Sequence, residues 1–246
     1  MRAAVVFKDA VVAGKVVSFL EEVGVEAREF VEPKEELEDF DFIVSVGGDG
    51  TILKILQFLR REVPIFGINT GKVGILTHAT PEDFEEKLRK AIESFEVEKF
   101  PRLSCHAGGV ELLALNEVAF FAREVARMLD VEVLVNDCSV ARLRCDGVLV
   151  STPIGSTGYS LSAGGPIVDP YCEVVVIAAV APFTLSWRHM VVGMDRVIKL
   201  RGEGLAIADG QRRVECSEVV IKKSRHPAVF FKKERLAETL ERVRTL

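Results

Sequence analysis

Apolar residues in the first hundred positions fall into short blocks separated by stretches with helical spacing. Residues 3–7 read as a strand, 10–23 as a helix stopped by Gly24, 25–30 as a short strand and 35–37 as an acidic helical turn after Pro33. Residues 42–46 form the next strand, 51–61 the helix behind it and 64–67 a further strand. Thr80-Pro81-Glu82-Asp83 marks a helix start with Pro81 at the first helical position, and the helix runs to about residue 94. Strands that alternate with helices predict a doubly wound α/β domain around a parallel sheet, whose ligands bind beyond the carboxyl ends of the strands.

After Phe100-Pro101 the alternation stops. Runs at 110–121, 131–135, 139–144 and 147–151 are strand-like and divided by short breaks such as Asn136-Asp137 and Asp146-Gly147. Further strands are expected at 173–180, 196–201, 205–208, 212–216 and 219–223, with Ala208-Asp209-Gly210-Gln211 as a hairpin signal. Helical spacing returns in Leu236, Leu240 and Val243. The pattern divides the chain into an α/β domain over 1–98, a β-rich domain over 99–228 and a C-terminal helix over 229–246 that packs back on the first domain.

Composition narrows the function more than the fold. With 246 residues, 48% hydrophobic and 28% charged, the chain can bury a substantial core. A formal net charge of −5 argues against a general binder of nucleic acid or anionic membrane and for a small ligand. Cys105, Cys138, Cys145, Cys172 and Cys216 are odd in number and form no C-x-x-C pair, so reduced thiols in a cytoplasm are expected rather than a disulfide framework or a zinc knuckle. The apolar run in the first eight residues is too short for a signal-peptide core. The longest later one, 174–182, is well short of a membrane span and fits a strand buried on both faces. Neither a targeting segment nor a membrane crossing is expected.

Gly47-Gly48-Asp49-Gly50-Thr51 lies where the strand over 42–46 hands over to a helix. Glycines let the backbone take positive φ and leave room for a ligand, and the first free amides of the helix point into the turn, which suits phosphate. A bare carboxylate repels phosphate, so Asp49 belongs there if it binds a metal, takes a proton from an attacking hydroxyl or grips a sugar hydroxyl. A second loop, 146–166, sets Thr152, Ser156, Thr157, Ser160 and Ser162 in a backbone freed by Gly155, Gly158, Gly164 and Gly165, and adds the ring of Tyr159. Hydroxyls and one aromatic suit a purine and a ribose; the plainer alternative is a hydroxyl-rich turn in a β domain. Asn116-Glu117 interrupts an apolar strand. An amide beside a carboxylate can read an adenine edge and ribose hydroxyls, and a polar pair at a strand end can equally be a turn.

In this order Gly47 to Thr51, Asn116-Glu117 and the run from Asp146 through Thr152-Pro153-Ile154-Gly155-Ser156-Thr157-Gly158-Tyr159 resemble the NAD kinase family. That family lies within a wider group of diacylglycerol-, sphingosine- and phosphofructokinase-like kinases sharing the G-G-D-G turn. The resemblance covers most of the chain and implies transfer of a phosphoryl group to the 2′-hydroxyl on the adenosine ribose of NAD, giving NADP. ATP or another phosphoryl donor and Mg2+ or another divalent metal are implied with it. Asp49 matches the aspartate that engages the acceptor hydroxyl as base or orienting group, with Gly47, Gly48, Gly50 and Thr51 near the phosphates. Asn116 and Glu117 match residues holding adenine and ribose groups. Thr157, Gly158, Tyr159 and Ser162, with Ile154 beside them, fall where the family encloses adenine, and Asp146 where a carboxylate meets a ribose or the nicotinamide end. Gln211, with Asp209 and Gly210, lies near a further binding loop of the family. Homodimers or homotetramers, whose pockets a neighbouring subunit can complete, are implied as well. The stretch Asn69 to Thr77 departs from the family pattern at Val73 and Ile75, where Leu and Phe are usual, which bears on pocket shape.

No Walker-A lysine is present, so a metal is expected to supply much of the positive charge, with Lys72, Arg142, Arg144 and Arg188 as candidate additions, each with the plainer alternative of a solvated surface charge, and Arg144 counted among the binding residues. No metal ligand is assigned. His78, His106, His189 and His226 lack H-x-x-x-H spacing and receive no role. Two alternatives stand beside the kinase: a diacylglycerol-type lipid kinase, which shares the turn, and a non-catalytic NAD(P)-binding sensor. No nucleic-acid or membrane partner is expected.

Overall fold

The computed structural model describes residues 1–72, 74–184 and 186–233. The chain divides into two units, residues 1–99 with 226 onward and residues 100–225. The first opens with β1 (Arg2–Phe7) and α1 (Ala10–Glu22). Asp9 caps the helix, its carboxylate accepting from the amides of Val11 and Val12, a cap worth about 1 kcal/mol. Then come β2 (Glu26–Phe30), a 3-10 turn (Glu35–Asp39), β3 (Phe42–Val46), α2 (Asp49–Leu56), β4 (Ile65–Ile68), α3 (Phe84–Ser94) and β5 (Val97–Phe100). β1 pairs in parallel with β2 and β3, and β3 with β4. Every residue of β3 and β4 is buried, as continuous apolar runs require of central parallel strands. Two expected boundaries move. α2 ends at Leu56 rather than near 61, and Pro81 sits in a turn before α3 rather than at its first position. Asp83 accounts for the second, since its Oδ1 accepts the Thr80 amide at 2.7 Å and closes that turn.

The second unit is antiparallel throughout its paired strands. It runs β6 (Leu103–Ala107), β7 (Val110–Ala114), β8 (Glu117–Phe121), β9 (Leu129–Val135), β10 (Cys138–Cys145), β11 (Gly147–Ser151), β12 (Val174–Val180), β13 (Met190–Gly193), β14 (Ile198–Ala208) and β15 (Arg212–Lys223). Their order is β13-β12-β11-β8-β14-β15-β6-β7, with β9 on β14 and β10 on β9. Between β11 and β12 lie a 3-10 turn (Ile154–Thr157) and the single-turn α4 (Tyr159–Ser162). The run expected over 110–121 is two strands joined at Leu115-Asn116, so the polar pair marks a real break. Conversely, the runs at 196–201 and 205–208 belong to one strand, bulged between Arg201 and Gly204. Its glycines permit close approach rather than a turn: a Cβ on Gly202 would meet the Asp130 carbonyl at 2.4 Å, and one on Gly204 the Phe120 ring at 2.7 Å.

The chain then re-enters the first sheet as β16 (Ala228–Phe231), giving the order β2-β1-β3-β4-β16-β5. All four of its residues are buried, and Phe230 is in parallel register with Ile65. The beginning of the helix expected over 229–246 is therefore a strand. The rest, including Leu236, Leu240 and Val243, lies outside the described residues. No described helix is long and apolar enough to cross a membrane. All five cysteines are free, Cys138 and Cys172 exposed and the others buried.

Candidate active-site residues

In the first unit, β3 delivers the chain into the turn that begins α2, with the Gly47 amide donating to the Ile68 carbonyl at 2.9 Å. The sequence suggests positive φ here, but none of the three turn glycines has it, and Gly48 sits at φ −88. What Gly48 and Gly50 provide is space: a Cβ on either would meet nothing within 4 Å. The unit's own packing gives no reason for glycine at those two positions, whereas a ligand lying on the turn does. Thr51 is buried and its Oγ1 has no hydrogen-bond partner among the described residues.

Asp49 is the first residue of α2, and its carboxylate is held by a loop more than twenty positions further on. Oδ2 accepts the Ile75 amide at 2.9 Å and Oδ1 the Leu76 amide at 3.0 Å. Hydrogen bonds to a charged acceptor are worth roughly 1.5–3 kcal/mol each, enough to fix the orientation of the group. The loop is itself tied down. Asn69 Oδ1 accepts the Gly71 amide, Thr77 Oγ1 donates to the Gly74 carbonyl, and Lys233 Nζ donates to the Thr77 carbonyl. Ile75 thus contributes its amide to Asp49, a role the family comparison of its side chain does not suggest. Val73, the other departure, lies outside the described residues.

In the second unit, the joint between β7 and β8 meets the hydroxyl-rich loop. Thr152 Oγ1 donates to the Leu115 carbonyl at 2.5 Å and accepts the Gly155 amide at 3.1 Å, while the Thr152 amide donates to the Asn116 carbonyl at 2.9 Å. Gly155 is obligatory there, because a Cβ would fall 2.0 Å from the Asn116 carbonyl oxygen. At Gly158 the corresponding position is 3.5 Å from Glu117 Oε2 and 3.9 Å from Asn116 Nδ2. The backbone of 155–158 therefore lies against the side chains of Asn116 and Glu117. Tyr159 stacks on Phe121 of β8 with centroids 5.8 Å apart and planes 16° apart, leaving its other face to solvent at 43% exposure.

Charge is concentrated at this joint. Glu117 Oε2 is buried and has no hydrogen-bond partner among the described residues. Burial, reinforced by the charge of Asp209, pushes the Glu117 carboxyl up to about 8. Asp209 is nearly enclosed and is raised by burial to about 6, against the pull of three backbone amides and the Arg102 charge. A buried acid without a partner is the kind of group a polar ligand satisfies, and ribose hydroxyls have the chemistry to do so.

Most of the residues expected to bind nucleotide come together in these two sets: Gly47 to Thr51 in one unit, and Asn116, Glu117, Ile154, Thr157, Gly158 and Tyr159 in the other. The remainder are more peripheral. Arg144 and Asp146 are exposed at the end of β10 and just beyond it, Ser162 is exposed at the end of α4, and Gln211 is exposed in the β14–β15 turn. No hydrogen bond among the described residues ties Arg144, Asp146 or Ser162 side chains to the joint. Arg142 pairs with Glu132, and the Arg188 guanidinium donates to the Trp187 carbonyl. Among the described residues no group of three or more His, Cys, Asp or Glu side chains is placed to hold a metal ion. The amides of Ile75 and Leu76 are contributors that sequence reasoning leaves out, and Thr152 and Asp209, named there as loop residues, prove to hold the 115–117 segment.

Comparison with known proteins gives one consistent result. A family model described as the ATP-NAD kinase N-terminal domain matches residues 10–96, and one described as the ATP-NAD kinase C-terminal domain matches residues 115–232. The chain is 54% identical over 237 residues to an NAD kinase of Archaeoglobus fulgidus, covering 96% of this chain and 95% of that protein. An NAD kinase of Methanothermobacter thermautotrophicus is 39% identical over 243 residues, covering 90% and 86%. A crystal structure of an NAD kinase from A. fulgidus in complex with ATP superimposes with a TM-score of 0.97 at 52% identity, with both chains covered in full. A yeast NADH kinase complexed with NADH shares the fold, with a TM-score of 0.89 at 20% identity over all of this chain and 87% of that one.

Proposed function

The chain belongs to the NAD kinase family, and from that premise we infer how its residues carry out the reaction. It is an ATP-dependent kinase that transfers a phosphoryl group to the 2′-hydroxyl on the adenosine ribose of NAD, giving NADP. Phosphoryl transfer asks a protein chiefly for alignment and electrostatic stabilisation. The observation that carries the assignment of roles is Asp49, a carboxylate oriented by the Ile75 and Leu76 amides next to glycines whose open sides the fold does not fill.

Asp49 receives or orients the proton of the 2′-hydroxyl, while Gly48 and Gly50 leave open space for phosphate and Gly47 and Thr51 hold the turn beneath them. Asn116 and Glu117 take the adenine edge and ribose hydroxyls, and Thr157, Gly158, Tyr159 and Ser162, with Ile154, enclose the adenine. Arg144, Asp146 and Gln211 are supporting contacts at the margins. A divalent ion, Mg2+ or a relative, would be held chiefly through the phosphates of the donor and water, where it would neutralise phosphate charge. The enzyme works in the cytoplasm as a homodimer or homotetramer. The lipid-kinase alternative rests on the G-G-D-G turn, whereas the C-terminal family match lies wholly outside that turn.

Incubating the protein with NAD, Mg2+ and a panel of nucleoside triphosphates and polyphosphate yields NADP, read with an NADP-specific dehydrogenase. No NADP with any donor overturns the assignment.

A further inference from the structure

Asp209 reads in the sequence as one residue of a hairpin turn, and it does occupy the left-handed region at φ 50 between β14 and β15. Its side chain does something else. Oδ2 accepts the Leu115 amide at 2.7 Å, and Oδ1 accepts the amides of Asn116 at 2.8 Å and Glu117 at 3.2 Å. The Asp209 amide returns a bond to the Glu117 carbonyl at 3.1 Å. One residue thereby makes four hydrogen bonds to three consecutive residues more than ninety positions earlier, at the break between β7 and β8. Thr152 and Gly155 hold the same segment from the hydroxyl-rich loop.

We propose that Asp209 is a positioning residue for dinucleotide recognition, its buried carboxylate gathering the 115–117 amides so that Asn116 and Glu117 present their side chains to the adenosine half of NAD. The proposal rests on the kinase reading for the role of Asn116 and Glu117, but not for the geometry. A carboxylate is needed because three amides converge on two acceptor oxygens; an asparagine in the same place offers one acceptor and turns a donor toward other donors. Burying the charge is unfavourable. The fully buried Arg102 offsets it, and the like-charged neighbour is Glu117. A residue kept for the turn alone would not require a buried charge, since asparagine or glycine adopts the same backbone conformation.

Asp209→Asn tests this through the pH dependence of KM for NAD. We expect KM to rise about tenfold or more, by more than kcat falls, because charge-assisted bonds to the recognition segment are lost. The inflection contributed by Glu117 should also move to lower pH, because its like-charged neighbour is gone. A folded variant with both KM and inflection unchanged overturns the proposal. A second measurement reads the geometry directly: in folded Asp209→Asn the amides of Leu115, Asn116 and Glu117 should together lose protection against hydrogen exchange, by about tenfold or more. Protection unchanged at all three amides overturns the proposal. The kinase reading fails separately, as absence of NADP from the wild-type protein, and the amide protection still decides for or against Asp209.

Discussion

The fold disfavours the charged form of Glu117. Burial raises its folded pKa from 4.5 to about 8, so between those values the folded protein holds a proton that the unfolded chain has released. Stability from this group is therefore greatest near and below pH 4.5 and declines as pH rises toward 8, by at most about 1.4 kcal/mol per pH unit. Glu117→Gln removes the decline. Its melting temperature relative to wild type should climb between pH 5 and 8 and level off above, by a few degrees or more, while NAD binding weakens. A difference that stays flat across that range would mean Glu117 is not held in a desolvated site. The same burial suits the proposed function, because a ligand hydroxyl then meets an oxygen that the described residues leave unsatisfied.

At the scale of elements, the loop from Asn69 to Thr77 acts as a bracket for Asp49. His78 closes its far end: Nδ1 accepts the Gly67 amide at 3.0 Å, which fixes the proton on Nε2 to donate to the Phe231 carbonyl at 2.8 Å, and the ring stacks on Phe66. Ile75→Pro deletes one amide bond to Asp49 without removing a charge. It should lower kcat by about tenfold or more, given the 1.5–3 kcal/mol of such a bond, with smaller effects on NAD affinity; unchanged kcat would show that the bracket is dispensable. The turn that Asp49 occupies is legible in the sequence because its signals are local, an apolar strand, glycines and a helix in direct succession. The bracket and Asp209 are not, because their partners lie 26 and 94 positions away. Ala208-Asp209-Gly210-Gln211 announces a hairpin, and a hairpin forms, which conceals the second task of its aspartate. β16 is missed for a related reason: four apolar residues gain strand character only from pairing with β4, beyond the reach of local pattern. The long β14 is misread because Gly202 and Gly204, which make room for Asp130 and Phe120, look like a break.

For the whole molecule, the proposed homodimer or homotetramer predicts a solution mass at two or four times 27.1 kDa by light scattering at assay concentration; a fully active species at the single-chain mass would contradict it. The proposed roles assign phosphate chemistry to the α/β unit and dinucleotide recognition to the β unit, so binding and turnover should be separable by mutation. Asp49→Asn makes that separation, with NAD affinity by calorimetric titration and NADP formation measured on one folded preparation. The account predicts NADP formation by the wild-type protein and a rate lower by about 10²–10⁴-fold in the variant, with the dissociation constant for NAD changed only a few-fold. A variant that makes NADP at the wild-type rate would contradict it.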